Sequence, residues 1–570
     1  MSNLHLTARA IAALIICCAC CSCGRGSEKS STAIGTEQSH QSSKLPDARI
    51  EIDAAAHLRT IPKELFGTNI EWLNHLQQVF DVKQNAVDSA VENFSKEMRV
   101  SLIRFPGGTF ADYYHWKAGV GPVGKRQPQK AVINDGEFVN YFGTDELMQF
   151  CKDIGAHALL TINMITDNEK NAAAWVDYCN NPNNTERAQN GHPTPYTVSL
   201  WELGNESYMK ADNPKTRESS LSPEEYAQRC TSFISEMKKV DPSIKVAAIG
   251  GSNFARYGFL ADSDWNKKIL GPLQDKIDFL ALHTGYAPLI IENDRYTAEE
   301  VYSALLAFPK LFEQNLLETG QEIDKCAGAN SSRIKIAITE WGPLFHVAPS
   351  SPWVDHPKTL ASGLYTASIL QAMIRNPRVT VATFFKLKDV LYIGSIGYDD
   401  VPKSSFYSLK LYSAFAGSDL VASKSEGPKY RCKAMGLVPE IQDVPYLDTI
   451  AIESADRKHL TLSAVNKSLT EKVTGHIHVK HFLPAQKAHL IVFTSSNFDA
   501  NNGKDLPDVP GFSWAHQVQA SLNPQFYKGK PGTLELQESS LEIPGADFDY
   551  EFAPHSVTAI ELRARDRVAN

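Results

Sequence analysis

The middle of the chain alternates short apolar runs with longer amphipathic segments. Segments with helical periodicity, such as residues 85–98, 168–179 and 222–240, separate the apolar runs. Strands that alternate with helices are typical of a parallel sheet, and eight such units predict a (β/α)8 TIM barrel. A doubly wound open sheet is the alternative, but no Gly-rich dinucleotide loop follows the first run. The eight runs are ELFGTNIEW, RVSLIRFPGG, AHALLTINM, YTVSLWELGNE, IKVAAIGGS, KIDFLALHTGY, RIKIAITEWG and RVTVATFFKL.

The pattern changes in the last quarter of the chain. Runs such as LDTIAIES, HLTLSAVNK, VTGHIHVKHF and VTAIELRAR alternate apolar and polar residues between turns, which is typical of half-buried strands. We therefore predict a C-terminal all-β sandwich over residues 425–570, after a catalytic barrel over residues 61–424. Residues 46–60 contain an isolated alternating run, ARIEIDA, without a hairpin partner nearby. We expect this N-terminal strand to complete the sandwich.

The N-terminus resembles an export signal. Residues 1–26 place a short apolar run before a cluster of cysteines, and small residues precede Cys20 and Cys23. Residues 27–45 are polar and Ser-rich, which is typical of a flexible tether. A metal-binding cysteine cluster is the alternative. The pattern predicts an exported protein, lipid-anchored at the bacterial cell envelope (periplasm or cell surface) or otherwise secreted.

Charge and cysteine content narrow the expected partners. The chain has 57 basic and 65 acidic residues and no long block of one sign. A neutral ligand is therefore the expected partner, and nucleic acid is not. An anionic membrane is not expected either, and contact with a membrane would come only through the possible lipid anchor. Five widely spaced cysteines lie outside the leader and predict buried thiols rather than disulfides or a zinc site. No stretch specifies a subunit interface.

Two carboxylates follow strand-like runs. Glu206 ends the motif WELGNE, and Glu340 lies in TEWG. In a barrel, the carboxyl ends of the strands form the face that carries the active site. Two carboxylates at that face are the pair that a retaining glycosidase needs, although buried strands with polar ends would look similar.

Other polar and aromatic residues follow the same predicted strand ends. Any one of them alone is more often a loop-capping group, but their shared position favours a binding site at one face. They are Glu71, Arg104, Asn163, Asn205, His283, Tyr286 and Trp341.

The chain resembles glycoside hydrolase family 51, the α-L-arabinofuranosidases of the retaining barrel clan A. RFPGGTFADYYHWKAGVGP is similar to the signature of its second strand, WVDYCN to its helix after strand three, WELGNE to its acid/base motif, TEWG to its nucleophile motif and PHSVTAIEL to its last sandwich strand. The resemblance runs in order through about residues 48–565. It implies a catalytic barrel with a sandwich built from both chain ends.

The resemblance also implies residue roles. Glu206 would be the general acid/base and Glu340 the nucleophile, with a pKa of Glu206 that the ionised Glu340 raises in the free enzyme. Arg104 would hold the nucleophile ionised, and Trp341 would offer an apolar face to a sugar ring. The groups implied to bind or support the sugar are Glu71, Asn163, Asn205, His283 and Tyr286. No metal or cofactor is expected.

This sequence departs from the family at the eighth strand and the second-strand signature. Lys386 and Asp389 stand where the family usually has Gln and Asn, and Thr109 and Asp112 where it more often has Asn and Ser. Lys386 is included among the expected substrate-binding residues. If it faces the sugar, a pocket carboxylate must neutralise it or the glycone must differ from plain arabinofuranose. The alternative is that it pairs with Asp389 or Asp112 outside the pocket.

The expected function is that of a retaining glycoside hydrolase, which removes terminal α-L-arabinofuranosyl residues from arabinose-containing polysaccharides or oligosaccharides. Two alternatives stay open. One is a related barrel glycosidase of different specificity, such as an endo-glucanase or another furanosidase or pyranosidase. The other is a surface glycan-binding protein that has lost catalysis. The presence of both carboxylates argues against the second alternative.

Overall fold

A computed structural model provides the structure of most of the chain. The predicted leader and nearly all of the predicted tether lie outside the described residues. None of the helices in the described part combines enough length with enough apolar character to span a bilayer. The structure describes residues 44–72, 79–130, 137–209, 220–251, 260, 262–286, 296–343, 353, 356–389, 393–397, 400–436, 438–502 and 530–565.

Eight parallel strands close into a barrel. The strands are buried on both faces, which explains why they read as nearly continuous apolar runs rather than as alternating ones. All eight predicted barrel strands are present, and the (β/α)8 prediction is confirmed. They are Gly67–Asn69, Leu102–Phe105, His157–Ile162, Leu200–Leu203, Lys245–Gly250, Phe279–Tyr286, Lys335–Gly342 and Val379–Phe384.

Helices follow the barrel strands and cover the outside of the barrel. The helix Pro223–Val240 begins as the sequence predicts, because Ser222 accepts a hydrogen bond from the Glu225 amide and the Glu225 side chain accepts one from the Ser222 amide. Short 3-10 turns at Lys63–Leu65, Thr109–Tyr113, Trp116–Gly119, Val123–Lys125, Gly328–Asn330 and His356–Lys358 complete the connections. The α-helices are Ser89–Glu97, Thr144–Ile154, Glu169–Asn180, Thr185–Gln189, Pro223–Val240, Trp265–Leu273, Ala298–Ala327, Leu360–Arg375 and Ser404–Ser413.

A second sheet, separate from the barrel, contains nine strands of mixed direction. The N-terminal strand pairs antiparallel with Asp419–Glu426 and parallel with Val473–Lys480, so both chain ends build the sheet. Its core joins Ile50 and Ile477 to Leu462 and Ile560, which belong to strands well apart in the sheet order. The sheet therefore folds over on itself, and the predicted sandwich is confirmed. Its strands are Ala48–Thr60, Asp419–Glu426, Leu447–Glu453, His459–Asn466, Val473–Lys480, Lys487–Phe493, Leu536–Glu542, Asp547–Phe552 and Ser556–Arg563.

Several strands were not predicted. Asp547–Phe552 is an edge strand in which only Phe548 and Phe552 are buried, so its sequence lacks a strong apolar pattern. Asp419–Glu426 straddles the boundary that was expected between barrel and sandwich. Four two-stranded sheets were also missed: Phe80–Asp81 with Ala86–Val87, Gln129–Lys130 with Glu137–Phe138, Lys429–Cys432 with Ile441–Pro445, and Ala500–Asn501 with Lys530–Pro531.

An ion-pair network joins the two parts. Arg375, at the end of a barrel helix, contacts Glu313 of the neighbouring helix and lies 3.1 Å from Asp448 of the sheet. Lys467 of the adjacent sheet strand lies 3.3 Å from the second carboxylate oxygen of Asp448. Two cations thus face two carboxylates across the interface.

Candidate active site

The two carboxylates predicted from the motifs meet at the mouth of the barrel. Glu340 lies near the end of the strand Lys335–Gly342. Glu206 follows the strand Leu200–Leu203 in a tight turn, where Gly204 (φ 77°) and Glu206 (φ 48°) both adopt left-handed backbone conformations. This conformation is uncommon for a residue with a side chain and concentrates at functional sites. The turn directs the Glu206 side chain back towards Glu340.

The carboxylates are close and unequally exposed. One oxygen of Glu206 and one of Glu340 lie within 4.8 Å of each other, with a ring nitrogen of His283 inside the same distance. The Glu206 side chain is 29% exposed and that of Glu340 only 7%. Glu340 therefore forms the inner wall of the site, and Glu206 faces its opening.

Arg104 connects the groups at the base of the site. It lies in the second barrel strand and is fully buried. Its Nε donates to Glu202 at 2.5 Å, its Nη1 to Glu340 Oε1 at 2.8 Å and its Nη2 to the Asn205 amide oxygen at 2.8 Å. One planar guanidinium thereby orients the inner carboxylate and the residue beside the outer one.

His283 and two tyrosines complete the hydrogen bonding. His283 Nδ1 lies 2.8 Å from Glu206 Oε1 and 3.6 Å from Glu340 Oε2. The Tyr286 hydroxyl donates to Glu340 Oε2 at 3.0 Å, and the Tyr208 hydroxyl donates to Glu206 Oε1 at 3.3 Å. Both oxygens of Glu340 thus accept from donors, whereas His283 and Tyr208 share one oxygen of Glu206.

The pKa directions differ from the sequence expectation. Burial raises the pKa of Glu206, but the hydrogen bond from His283 and the charge of Arg104 outweigh burial, so this pKa is lowered. Burial and the charge of Glu206 raise the pKa of Glu340 despite His283 and Arg104. Burial lowers the pKa of His283, but both carboxylates outweigh it and raise the pKa overall. The expectation of a raised pKa for Glu206 omitted the histidine.

Comparisons with known proteins find similarity to arabinofuranosidases. The model of the alpha-L-arabinofuranosidase 1 domain matches residues 94–269. Intracellular exo-alpha-(1->5)-L-arabinofuranosidases of Halalkalibacterium halodurans and Bacillus subtilis are each 26% identical, over 80% and 82% of this chain and 92% and 93% of theirs. The crystal structure of an alpha-L-arabinofuranosidase from Thermotoga maritima has a TM-score of 0.73 at 25% identity, with 90% of this chain and all of that chain covered. These similarities support a family 51 arabinofuranosidase-like glycoside hydrolase.

The same comparison corrects the expected location. Both relatives are named as intracellular enzymes, which contradicts the prediction of an exported, lipid-anchored family 51 protein. The prediction was wrong. It depended on the leader and on Cys20 and Cys23, which lie outside the described residues.

Three further predicted site residues have structural contacts in this family 51 protein. The Asn163 side chain caps its own loop, because its oxygen accepts from the amides of Ile165 and Thr166. Asn205 has its amide oxygen on Arg104, which leaves its NH2 group to donate to a ligand. Trp341 is fully buried, and its ring packs edge-to-face on Phe384. The structure therefore does not bring the Trp341 ring to an open surface.

Glu71 and Lys386 contact each other as a buried pair, with 6% and 2% of their side chains exposed. Burial lowers the pKa of the Lys386 amine. Asp389 instead contacts Lys403 at 2.6 Å, so the expected alternative pairing of Lys386 with Asp389 or Asp112 does not occur. Asp112 is fully buried, and burial raises the pKa of its carboxyl group.

The site residues predicted from the sequence omit three groups that the structure brings into the site. Asn69 accepts from Arg104 at 3.2 Å, Glu202 neutralises the same guanidinium, and Tyr208 binds Glu206. Each lies in or beside a motif already quoted, at a strand end or two residues from Glu206. Proximity to the motifs was the available signal, but alternation along a strand does not tell which buried polar groups meet.

Within the described part of the chain, one group of side chains has its ligand atoms close enough together to share a cation. It consists of Glu206, His283 and Glu340. In the hydrogen-bonded arrangement, His283 Nδ1 is already engaged by Glu206. The chemistry of a retaining glycosidase needs no metal.

Proposed function

We propose that this enzyme removes terminal α-L-arabinofuranosyl residues from polysaccharides or oligosaccharides by double displacement, with retention of anomeric configuration. The observation that carries the proposal is the pair Glu206 and Glu340, whose nearest oxygens lie within 4.8 Å. Retaining enzymes place their carboxyl groups about 5–5.5 Å apart, whereas inverting enzymes need about 6.5–9.5 Å for an intervening water. The names of the relatives support arabinofuranosyl as the glycone.

Exposure and hydrogen bonding support the assignment of roles. A nucleophile must be ionised and must face the anomeric carbon on the side opposite the leaving group. Glu340 is the inner carboxylate, and Arg104 and Tyr286 donate to its two oxygens. Burial and the charge of Glu206 raise the pKa of Glu340, while the charge of Arg104 and the hydrogen bond from Tyr286 favour its ionised form.

Glu206 suits the acid/base role. In the first step, an oxygen of Glu340 attacks the anomeric carbon, the glycosidic bond breaks, and Glu206 protonates the leaving oxygen. In the second step, Glu206 takes a proton from water as the water attacks the anomeric carbon, and Glu340 leaves. The hydrogen bond between His283 and Glu206 holds one proton that either side chain can carry, so the two groups and Glu340 titrate as a unit.

Azide rescue tests the role assignment. With an aryl α-L-arabinofuranoside of good leaving group, Glu206→Ala should form the covalent intermediate, and azide should restore turnover with a retained glycosyl azide. Glu340→Ala should lose the retaining reaction, and azide should give at most the inverted product. Product configuration is read by proton NMR. Inverted azide from Glu206→Ala, or retained azide from Glu340→Ala, would reverse the assignment.

A further inference from the structure

The segment after the eighth barrel strand contains an unusual set of buried lysines. Lys388 contacts Asp400, and Lys403 lies 2.6 Å from Asp389, so both pairs close within the segment. The third pair is different. Lys386 contacts Glu71, which follows the first barrel strand. This pair alone of the three connects the segment to another strand end.

Glu71 is held from two sides. Its carboxylate lies over the backbone of Gly108, where a β-carbon would come within 1.6 Å of Glu71 Oε1. Gly108 has a φ of 71°, so both the conformation and the close approach need glycine. Strands eight, one and two are neighbours in the barrel, and their carboxyl ends thus meet at Lys386, Glu71 and Gly108.

The pair is connected to the catalytic carboxylates. The Lys386 amine lies 4.6 Å from the centre of the Phe385 ring, which packs edge-to-face on Tyr286, the donor to Glu340. On the other side, Asn69 lies two residues before Glu71 and accepts from Arg104, which also binds Glu340. The pair therefore belongs to the catalytic face and not to the interior of the barrel.

Stability does not explain this pair. A buried ion pair contributes little compared with apolar side chains of similar volume, because desolvation offsets the attraction. Its chemical effect is clearer. Lys386 neutralises the Glu71 carboxylate, which can still accept further hydrogen bonds. The pair therefore offers a sugar a fixed hydrogen-bond acceptor and carries no net charge.

We propose that the Lys386–Glu71 pair determines the charge of the accepted sugar: it admits a neutral glycone and excludes a sugar acid. The inference rests on the proposed function and deepens it. Glu71 accepts hydrogen bonds from glycone hydroxyls, and Lys386 is a positioning residue that keeps Glu71 ionised and oriented. Among the residues that the structure describes, a sugar carboxylate would find no free cation there and would face the carboxylates of Glu71, Glu206 and Glu340. The lysine thus does not act as an anion receptor.

Two sugars and three variants test the inference. L-arabinose and D-galacturonate share the configuration of their ring hydroxyls, but only the second carries a carboxylate. Each is used as a competitive inhibitor of aryl α-L-arabinofuranoside hydrolysis. The variants are Glu71→Gln, Lys386→Met and the double variant. Lys388→Met with Asp400→Asn, the pair that closes within the same segment, is the matched control.

We expect no inhibition of the wild type by D-galacturonate. Glu71→Gln leaves the Lys386 charge uncompensated, so kcat/KM should fall roughly 10- to 100-fold and D-galacturonate should now compete. Lys386→Met should also lower kcat/KM but should not admit the acid. The double variant removes both charges, and it should fold, show low kcat/KM and be insensitive to D-galacturonate. The control variant should retain the wild-type preference.

The outcomes of these measurements can overturn the inference. Wild-type kcat/KM and inhibitor preference in the double variant would overturn the inference, even if Glu71→Gln does not fold. Inhibition of the wild type by D-galacturonate would also overturn it. If the control variant shows the same change as Glu71→Gln, the effect is a general disturbance of the segment, and the inference is rejected. Absence of arabinofuranoside hydrolysis in the wild type would instead reject the proposed function.

Discussion

Two arginines in this protein have similar surroundings and different consequences. Arg104 contacts Glu202 and Glu340 at the barrel mouth, and Arg375 contacts Glu313 and Asp448 between barrel and sheet. At the interface, Lys467 adds a second cation, so positive and negative charges balance. At the mouth, Glu206 adds a third carboxylate close to Glu340, and His283 is the only further cationic group among the contacts described there.

The balance of nearby charges determines whether the pKa of a buried carboxyl group is lowered or raised. Burial raises the pKa of Asp448, but Arg375 and Lys467 outweigh it, and the pKa is lowered to about 2. Burial and Glu206 prevail at Glu340, so its pKa is raised. The interface therefore favours an ionised Asp448, whereas the surroundings of Glu340 at the mouth oppose its ionisation. The first arrangement joins two domains, and the second is suited to proton transfer.

The largest contrast should come from the same substitution at both arginines. A lysine cannot donate to Glu202, Glu340 and Asn205 at once, so Arg104→Lys should lower kcat/KM roughly 10- to 100-fold. Arg375→Lys should leave kcat/KM unchanged and lower the melting temperature. Steady-state kinetics and calorimetry measure the two effects. Equal kinetic losses in the two variants would contradict the division between a catalytic and a structural network.

A smaller effect is expected on the stability of the fold at low pH. A folded-state pKa of about 2 against 3.8 in the unfolded chain means that ionised Asp448 stabilises the fold by about 2 kcal/mol above pH 4. This contribution is lost as the pH falls from about 4 to about 2. Asp448→Asn should be less stable than the wild type at pH 7, with a difference that shrinks towards pH 2. Urea unfolding at several pH values measures this, and a constant difference would argue against the interface charge.

The most subtle expectation concerns pH profiles. His283 lowers the pKa of both Glu206 and Glu340, so its removal should raise both. Because Glu206, His283 and Glu340 titrate as a unit, His283→Ala should move both limbs of the kcat/KM profile to higher pH. Tyr208→Phe removes a donor to Glu206 alone and should move the profile upward by less than His283→Ala does. A shift of either limb to lower pH would contradict the described hydrogen bonding.

Sequence pattern was sufficient for the barrel and for the positions of the two carboxylate motifs. Eight apolar runs separated by amphipathic helices define the barrel, because burial of both faces leaves a continuous apolar signal in each strand. Pattern failed at Asp547–Phe552, where an exposed edge strand buries only two side chains. This strand forms because it pairs with a neighbouring strand, and its own apolar content is too low to indicate it.

Sequence alone determined that Glu206 and Glu340 end barrel strands, because strand direction in a parallel barrel brings all carboxyl ends to one face. Only the tertiary structure decided which buried groups meet there. It placed Glu71, rather than Asp389 or Asp112, against Lys386, and it placed His283 on Glu206, which lowered a pKa that was expected to be raised. Hydrogen bonds between distant strand ends depend on barrel stagger and side-chain direction, and neither is encoded in local periodicity.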